Sequence, residues 1–303
     1  MASIGEPACV APTGDECGEG PVWHEGEQAL YWTDINRFLI HRFDGRHGSV
    51  KSWFFDEPVT ALALTDRDDT LAVALGSRVI LWSPGSDARW DHHFHLPDWP
   101  AVRLNDGRAD PFGGFWVGSM RNNVRPDGSP GEAGGNDGVL HCIKPDGKVQ
   151  VWKRGIGISN TLTWSPDRSR FYFGDTLENA IYIYDVDHAT GEISNERPFF
   201  TGFARGLPDG SAMDSEGYLW NCRYGGGCIV RVAPDGSVDR VIEMPSVNIT
   251  SCTFGGKDLK TLYVTTAAAA SDPGDRLAGS LFAIDSDVAG QPENRYRAFA
   301  GCA

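Results

Sequence analysis

A short hydrophobic phrase recurs six times along the chain, and its spacing restricts the folds that the chain can adopt. The centres of the six copies are 41, 44, 56, 48 and 43 residues apart. These central residues are Tyr31, Ala72, Trp116, Tyr172, Trp220 and Tyr263. A period of about 45 residues is the length of one blade of a β-propeller. Six copies account for nearly all of the 303 residues, which predicts a single closed six-bladed propeller over residues 1–303.

Short alternating runs of hydrophobic residues, separated by turn sequences, fill each interval of the repeat. The runs are typical of β-strands, and they lie at 29–35, 39–43, 59–64, 70–75, 79–82, 138–143, 149–152, 181–184 and 279–284. Pro-Asp-Gly, a strong turn former, occurs at 126–128, 145–147, 208–210 and 234–236. Only 177–180 and the alanine run 267–270 are weakly helical in pattern. The pattern therefore predicts an all-β chain.

The longest interval of the repeat, between Trp116 and Tyr172, contains an insertion. The extra length lies in residues 122–137, which are too rich in glycine, proline and asparagine to form a strand. Long loops of this kind are either decoration or a lid over an active site. We expect a lid, because the loop follows the blade that carries Arg103 and Asn105. Two other folds are left open by the spacing. One is a large β-sandwich, and the other is a propeller of five blades with an insertion that the repeat count has missed.

Charge and cysteine content exclude several classes of protein. The net charge is −14 at pH 7 and no basic block offsets it, which argues against nucleic-acid and anionic-membrane partners. The sequence contains no stretch of about 18 apolar residues, so it predicts no membrane span. Residues 1–12 lack the pattern of a secretory signal. The seven cysteines are odd in number and form no Cys-x-x-Cys pair. We therefore predict a cytoplasmic protein with reduced thiols; its oligomeric state is left open.

Polar residues recur at one phase of the repeat, 11 or 12 residues before the centre of five phrases. They are Glu19, Asn105, Asn160, Asp209 and Ser251, and the second blade has Thr60 or Ala61 at this phase. In a closed repeat fold, equal phase along the sequence means equal position in space. These side chains should therefore form one asymmetric ring around the central channel.

Three members of this ring, Glu19, Asn160 and Asp209, have the oxygen donors that hard divalent cations prefer. Singly, each has an ordinary structural explanation as a loop acid, a turn cap or the middle of a Pro-Asp-Gly turn. Their shared phase favours a metal site for Ca²⁺, Mg²⁺, Mn²⁺, Zn²⁺ or Fe²⁺. Three protein ligands would leave coordination positions open, as in catalytic sites. Without an ion, the two acids would repel each other and one pKa would rise.

Five separated motifs occur in the order that is typical of one protein family. They are GEGPVW at 18–23, RLNDG at 103–107, ISN at 158–160, LPDG at 207–210 and CTFGG at 252–256. Over about residues 16–285 the chain resembles the gluconolactonase, regucalcin and luciferin-regenerating enzyme family of six-bladed propellers. The resemblance implies that Glu19, Asn160 and Asp209 bind a divalent metal in the central channel. It also implies substrate contacts for Arg103 and Asn105.

Two departures from the family pattern concern the surroundings of this site. Thr161 follows Asn160 where many relatives have glycine, which leaves the local backbone conformation open. Some animal relatives have a substrate-binding glutamate shortly after the position of Met120, whereas this chain continues with Arg121 and two asparagines. Arg121 is therefore a candidate substrate-binding residue, and the exchange of an acid for a base would alter the choice of substrate.

The expected activity is metal-dependent hydrolysis of a sugar lactone such as gluconolactone, xylonolactone or arabinonolactone. A divalent ion would polarise the lactone carbonyl while a water attacks, with Asp209 as the general base. The alternatives are a metal-dependent esterase or phosphotriesterase, and a non-catalytic calcium-binding propeller. Arg103 and Asn105 favour an enzyme, because a pure ion-binding site does not need them.

Overall fold

Over residues 4–298 the regular secondary structure consists of β-strands. The computed structural model describes residues 4–298, and 25 strands lie in that range. The first strand is β1 (Ala8–Ala11). Blade one then contains β2 (Gly18–His24), β3 (Ala29–Asp34), β4 (Leu39–Asp44) and β5 (Val50–Phe54). Blade two contains β6 (Val59–Thr65), β7 (Leu71–Leu75), β8 (Arg78–Ser83) and β9 (Ala88–His95). Blade three contains β10 (Val102–Ala109), β11 (Phe115–Arg121), β12 (Gly138–Ile143) and β13 (Val149–Ile156).

The second half of the chain repeats this arrangement. Blade four contains β14 (Ser159–Trp164), β15 (Arg170–Asp175), β16 (Ala180–Val186) and β17 (Ile193–Thr201). Blade five contains β18 (Leu207–Met213), β19 (Leu219–Tyr224), β20 (Cys228–Val232) and β21 (Val238–Glu243). The last strands are β22 (Ile249–Gly255), β23 (Thr261–Thr266), β24 (Leu281–Asp285) and β25 (Arg295–Tyr296).

Strands β1 and β25 join blades that are distant from them in the sequence. Blade six has the strand order β1-β24-β23-β22, so its outer strand comes from the start of the chain. Strand β25 pairs in parallel with β6 of blade two. Between β24 and β25 the chain crosses blade five, where the amide of Gln291 donates to the carbonyl of Met213 at 3.0 Å. The prediction of an all-β, six-bladed propeller is confirmed.

The inner strand of every blade is irregular at the same level of the propeller. The register between the first and second strands shifts in all six blades. The shifts lie between 19 and 22, 59 and 61, 104 and 107, 160 and 163, 208 and 211, and 249 and 251. Bulges of this kind bend a strand and redirect its side chains. The polar ring predicted from the repeat therefore lies at a ring of bulges.

The recurrent hydrophobic phrase forms the second strand of each blade and packs between neighbouring blades. In two blades its tryptophan is also anchored by an aspartate six residues earlier. The indole Nε1 of Trp116 donates to Asp110 Oδ2 at 2.7 Å, and that of Trp220 to Asp214 Oδ2 at 2.9 Å. Both tryptophans are fully buried. These bonds satisfy polar groups that the packed interior would otherwise leave without partners.

Some local predictions differ from the structure. The Pro-Asp-Gly segment at 208–210 is part of strand β18 instead of a turn, because the bulge there accommodates it. Residues 177–179 form a turn and Ala180 begins strand β16, while 267–270 form a turn and irregular backbone. Within residues 4–298 no helix is long and apolar enough to cross a membrane. The six cysteines of that range carry free thiols, and Cys302 lies outside the described residues.

Candidate active site

A cavity of about 260 Å³ lies in the central channel, at the end where the inner strands of the blades begin. Its polar lining consists of Cys17, Glu19, Asn36, Arg103, Asn105, Asn123, Asn160, Thr176 and Asp209. Its apolar lining includes Ile35, Met120, Ile158, Pro130 and Tyr224. Four of the five ring residues predicted from the repeat therefore share this cavity. The fifth, Ser251, is buried and packs against Gly210, next to Asp209.

Glu19 is positioned by the bulge of strand β2. The next residue, Gly20, has a φ of +53°, a left-handed conformation that glycine adopts without strain. The Gly20 amide donates to Glu19 Oε2 at 2.9 Å. The residue is buried, yet it lines the cavity. The sequence Gly-Glu-Gly thus provides the local conformation that directs this acid into the channel.

Thr176 fixes which end of the Asn160 amide faces the centre of the site. The Thr176 hydroxyl donates to the carbonyl of Pro208 at 2.8 Å. Its single proton is thereby used, so it accepts a hydrogen bond from Asn160 Nδ2 at 2.9 Å. The oxygen Oδ1 of Asn160 consequently points away from Thr176, and it accepts from Asn105 Nδ2 at 3.4 Å. Asn160 therefore presents an oxygen ligand.

Glu19 and Asp209 are both buried and line the same cavity, and each carboxyl group affects the pKa of the other. Burial, then the charge of Asp106, raises the pKa of Glu19 to about 8. Burial, then the charge of Glu19, raises the pKa of Asp209 well above its usual range. Two buried acids on one cavity are a fitting site for a cation, because its charge would offset both of theirs. With the Asn160 oxygen they form a donor set for a divalent ion.

A third acid near this pair, the half-buried Asp106, was not found from the sequence. Burial raises its pKa to about 6, while the charge of Arg108 and the amides of Gly107, Leu162 and Thr161 oppose that rise. Asp106 follows Asn105 inside the bulge of strand β10. Because the bulge breaks the alternation of side chains, phase counting identified Asn105 and missed its neighbour. The available signal was the acid in the RLNDG motif.

Arg103 connects the ring to the inserted loop. Its Nη1 donates to Asn105 Oδ1 at 2.7 Å and to the Leu104 carbonyl at 2.9 Å. Its Nε and Nη2 donate to Asn123 Oδ1 at 3.2 and 2.9 Å. Burial lowers the pKa of Arg103 to about 10, so it stays cationic at neutral pH. A buried cation held by neutral acceptors can donate to oxygen atoms of a ligand in the cavity.

The loop at 122–137 forms part of the cavity wall. Its residues Asn123, Pro130, Gly131 and Ala133 line the cavity. The loop is also tied to blade one, because Asn36 Nδ2 donates to the carbonyl of Gly128 at 2.7 Å. This placement is the one that a lid requires.

Arg121 is the predicted site residue that the structure does not bring into the cavity. Its side chain is 54% exposed, and its Nε donates to Asp137 Oδ2 at 2.8 Å. Asn123, two residues further along, contacts Arg103 instead. Strand β11 ends at Arg121, so side-chain directions beyond it follow the loop and could not be counted from the repeat.

A second group of possible ligands, Asp15, Asp34 and His41, has donor atoms within 4.8 Å of one another. Arg37 pairs with both acids, at 2.8 Å to Asp15. The Trp32 indole also donates to Asp15 at 2.7 Å. The guanidinium group already supplies the positive charge that an ion would bring, so we interpret this group as a structural network of blade one.

The fold and the site together define a propeller whose central cavity combines two paired acids, an amide oxygen and cationic or amide donors. A model of the SMP-30/Gluconolactonase/LRE-like region matches residues 17–268 of the chain. The chain is 36% identical over 299 residues to pentonolactonase XacC of Haloferax volcanii. The aligned region covers 94% of this chain and 96% of that protein. It is 35% identical over 296 residues to the 6-deoxy-6-sulfogluconolactonase of Pseudomonas putida, with 94% and 96% covered. The protein belongs to the SMP-30/gluconolactonase/LRE-like family, as its motifs predicted.

Solved structures agree with this assignment. The calcium-binding protein regucalcin of Agrobacterium tumefaciens is 28% identical, with a TM-score of 0.88 and 98% of this chain and 99% of that chain covered. A luciferin-regenerating enzyme is 27% identical, with a TM-score of 0.86 and 97% and 98% covered. The named lactonases, at about 35% identity over most of the chain, confirm the predicted enzyme class, a lactonase.

Proposed function

We propose that this protein hydrolyses a monosaccharide lactone to its aldonic acid with the help of one divalent metal ion held by Glu19, Asn160 and Asp209. The observation that carries the proposal is the pair of buried acids, Glu19 and Asp209, at a cavity that also contains Arg103 and Asn105. The relatives named as lactonases support the reaction class.

Each polar residue of the cavity has a distinct part in the proposed reaction. Arg103 donates hydrogen bonds to oxygen atoms of the lactone, and Asn105 does so with the Nδ2 hydrogen that otherwise makes the long 3.4 Å contact to Asn160 Oδ1. Asp209 accepts the proton of the attacking water as the general base, a role that typically contributes about 10²- to 10⁴-fold. A bound divalent ion would supply Lewis-acid polarisation of the carbonyl. Arg121 has no part in this scheme, because it lies outside the cavity.

The cavity limits the size of the substrate. Its volume of about 260 Å³ is smaller than the roughly 300–1,000 Å³ of sites for drug-sized ligands. A single sugar ring fits that limit, and the apolar side chains of Ile35 and Tyr224 can contact its C–H faces. Gluconolactone, xylonolactone and arabinonolactone are therefore the first substrates to test. The relatives named for a pentonolactone and for a sulfogluconolactone make five- and six-carbon sugars equally suitable candidates.

The donor set restricts the ion. Two carboxylates and an amide oxygen suit hard cations such as Ca²⁺, Mg²⁺ and Mn²⁺, and Zn²⁺ or Fe²⁺ when water completes the coordination. The related regucalcin structure is described as calcium-binding. We therefore rank Ca²⁺ and Mn²⁺ as the first ions to test. A cytoplasmic location and a single domain over residues 1–303 stay predictions.

The test is base consumption by purified protein in a panel of fresh aldonolactones, with and without a chelator. We expect acceleration above the spontaneous rate for at least one lactone, its loss with chelator and its recovery with an added divalent ion. Simple carboxylic esters and a phosphotriester belong in the same panel. Hydrolysis of those compounds alone would favour the esterase or phosphotriesterase alternative. Absence of hydrolysis with every ion, together with metal binding, would favour a non-catalytic calcium-binding propeller.

A further inference from the structure

Thr161 has a backbone conformation that is unusual for its side chain. Its φ is +53°, in the left-handed region, and among residues 4–298 it is the only β-branched residue with a positive φ. Such a conformation is a genuine outlier for a β-branched side chain. Thr161 lies in the bulge of strand β14, directly after the proposed ligand Asn160. Strained residues persist where the surroundings over-determine them, and they concentrate at functional sites.

The Thr161 side chain bonds to the neighbouring blade, where the proposed ligand Asp209 is located. Its hydroxyl donates to the backbone carbonyl of Asp209, because a carbonyl can only accept. Ser211 Oγ, 2.9 Å away, therefore donates to Thr161 Oγ1. Asn221 Nδ2 in turn donates to Ser211 Oγ at 2.9 Å, and Arg223 Nη1 donates to Asn221 Oδ1 at 3.1 Å. This chain of donors runs from a buried cation to the backbone of Asp209.

All members of this chain are buried, and each of its donors has an acceptor. Thr161, Ser211, Asn221 and Arg223 are 0%, 3%, 0% and 1% exposed. A fully satisfied buried network of hydrogen bonds is rigid, and its bonds reinforce one another. Residue 161 therefore ties the strand of Asn160 to the inner strand of blade five.

The same device occurs beside the other carboxylate of the site. Thr250 of blade six donates its hydroxyl to the carbonyl of Gly18, the residue before Glu19. A threonine of the preceding blade thus bonds to the backbone at, or directly before, each proposed acidic ligand. Thr60, at the equivalent bulge of blade two, donates instead to Ala74 of its own blade at 3.2 Å. Blade three, which follows blade two, contributes no proposed metal ligand, so the interblade bond accompanies the ligand positions.

We propose that Thr161 is a positioning residue of the metal centre, whose strained bulge orients Asn160 while its hydroxyl fixes the backbone of Asp209. The inference rests on the proposed metal site. Groups that orient metal ligands typically change metal affinity by about 10- to 100-fold when they are removed. Relatives with glycine at this position would have no backbone strain there, but they would also lack the hydroxyl bond. The positioning role that we propose for residue 161 is therefore specific to chains that have threonine.

The test compares Thr161→Val, which removes the hydroxyl and keeps the shape, with Thr161→Ser, which keeps the hydroxyl. Thr60→Val is the matched control, because it removes a buried threonine hydroxyl at a bulge without a ligand. Each metal-free protein is titrated with Ca²⁺ and with Mn²⁺ by calorimetry, and its unfolding by urea is measured with a chelator present. We expect 10- to 100-fold weaker metal binding for Thr161→Val. Thr161→Ser and Thr60→Val should bind within about threefold of the wild type.

Thr161→Gly keeps the experiment decisive if Thr161→Val does not fold, since glycine accepts the positive φ without strain. It should fold and still bind metal about tenfold or more weakly than Thr161→Ser. Wild-type affinity in the folded Val or Gly variant overturns the inference. An equal loss of affinity in Thr60→Val also overturns it, because the loss would then reflect a general destabilisation of the propeller. A wild-type protein that binds neither ion overturns the proposed metal site itself, and this inference with it.

Discussion

Replacing Glu19 by glutamine should have opposite effects on the metal-free and metal-bound protein. Burial raises the pKa of Glu19 from its ordinary 4.5 to about 8. Between these pH values the folded state holds a proton that the unfolded state has released. The free energy of unfolding of the metal-free protein should therefore fall as the pH rises from about 4.5 to about 8. Glutamine is neutral at every pH and removes this loss.

The size of the effect follows from the rise in pKa. Each tenfold change in proton affinity is worth about 1.4 kcal/mol, so a rise from 4.5 to about 8 corresponds to at most about 5 kcal/mol. Metal-free Glu19→Gln should exceed the wild type in stability by up to that amount at pH 8 and match it near pH 4.5. With a divalent ion in excess the order should reverse, because only the wild type gains the stabilisation of a bound ligand.

The assay is urea unfolding, followed by tryptophan fluorescence, at several pH values between 4.5 and 8.5, with chelator and then with Ca²⁺ or Mn²⁺. Glu25→Gln, at an exposed position of the same blade, is the control and should leave both sets of curves unchanged. A wild-type stability that does not fall between pH 5 and 8 in the presence of chelator would refute the reasoning. A Glu19→Gln protein that is still stabilised by metal as the wild type is would refute the assignment of the ligand.

Three further substitutions test other parts of the site and the fold. Asp209→Asn keeps a ligand oxygen but removes the base, so lactone hydrolysis should fall by about 10²- to 10⁴-fold while calorimetry still detects some metal binding; near-normal turnover would show that Asp209 is not the base. Asn36→Ala removes the bond to Gly128, so limited proteolysis within 122–137 should accelerate and KM should rise; an unchanged cleavage rate would mean that other contacts hold the loop. Trp116→Phe leaves Asp110 without its indole donor, so urea unfolding should show a loss of about 1–3 kcal/mol; wild-type stability would show that the bond contributes nothing.

The architecture was predictable because the repeat has a clear physical basis. Each blade must bury its second strand between its neighbours, so hydrophobic side chains such as Trp116 and Trp220 recur at the spacing of one blade. Closure was not predictable, since the strand Ala8–Ala11 is short and has no such phrase. Its pairing with blade six depends on contacts between residues that are nearly the whole chain apart.

The candidate site was partly predictable for a related reason. Equal phase identified Glu19, Asn160 and Asp209, because each lies at a bulge at the same level of its blade. Within a bulge the side chains do not alternate between the two faces of the strand, which is why Asp106 was missed. The loop after strand β11 follows no repeat, so counting along the repeat could not place Arg121, whose side chain lies outside the cavity.

The most direct test of the account is the metal stoichiometry of lactone hydrolysis. Metal-free protein is titrated with a divalent ion that restores activity, and base consumption is recorded at each addition for the wild type and for Glu19→Gln. The account predicts that wild-type activity rises linearly, reaches its plateau at one ion per chain, and is not restored in Glu19→Gln. Full activity of the wild type after complete removal of divalent ions, or full recovery in Glu19→Gln, would contradict it.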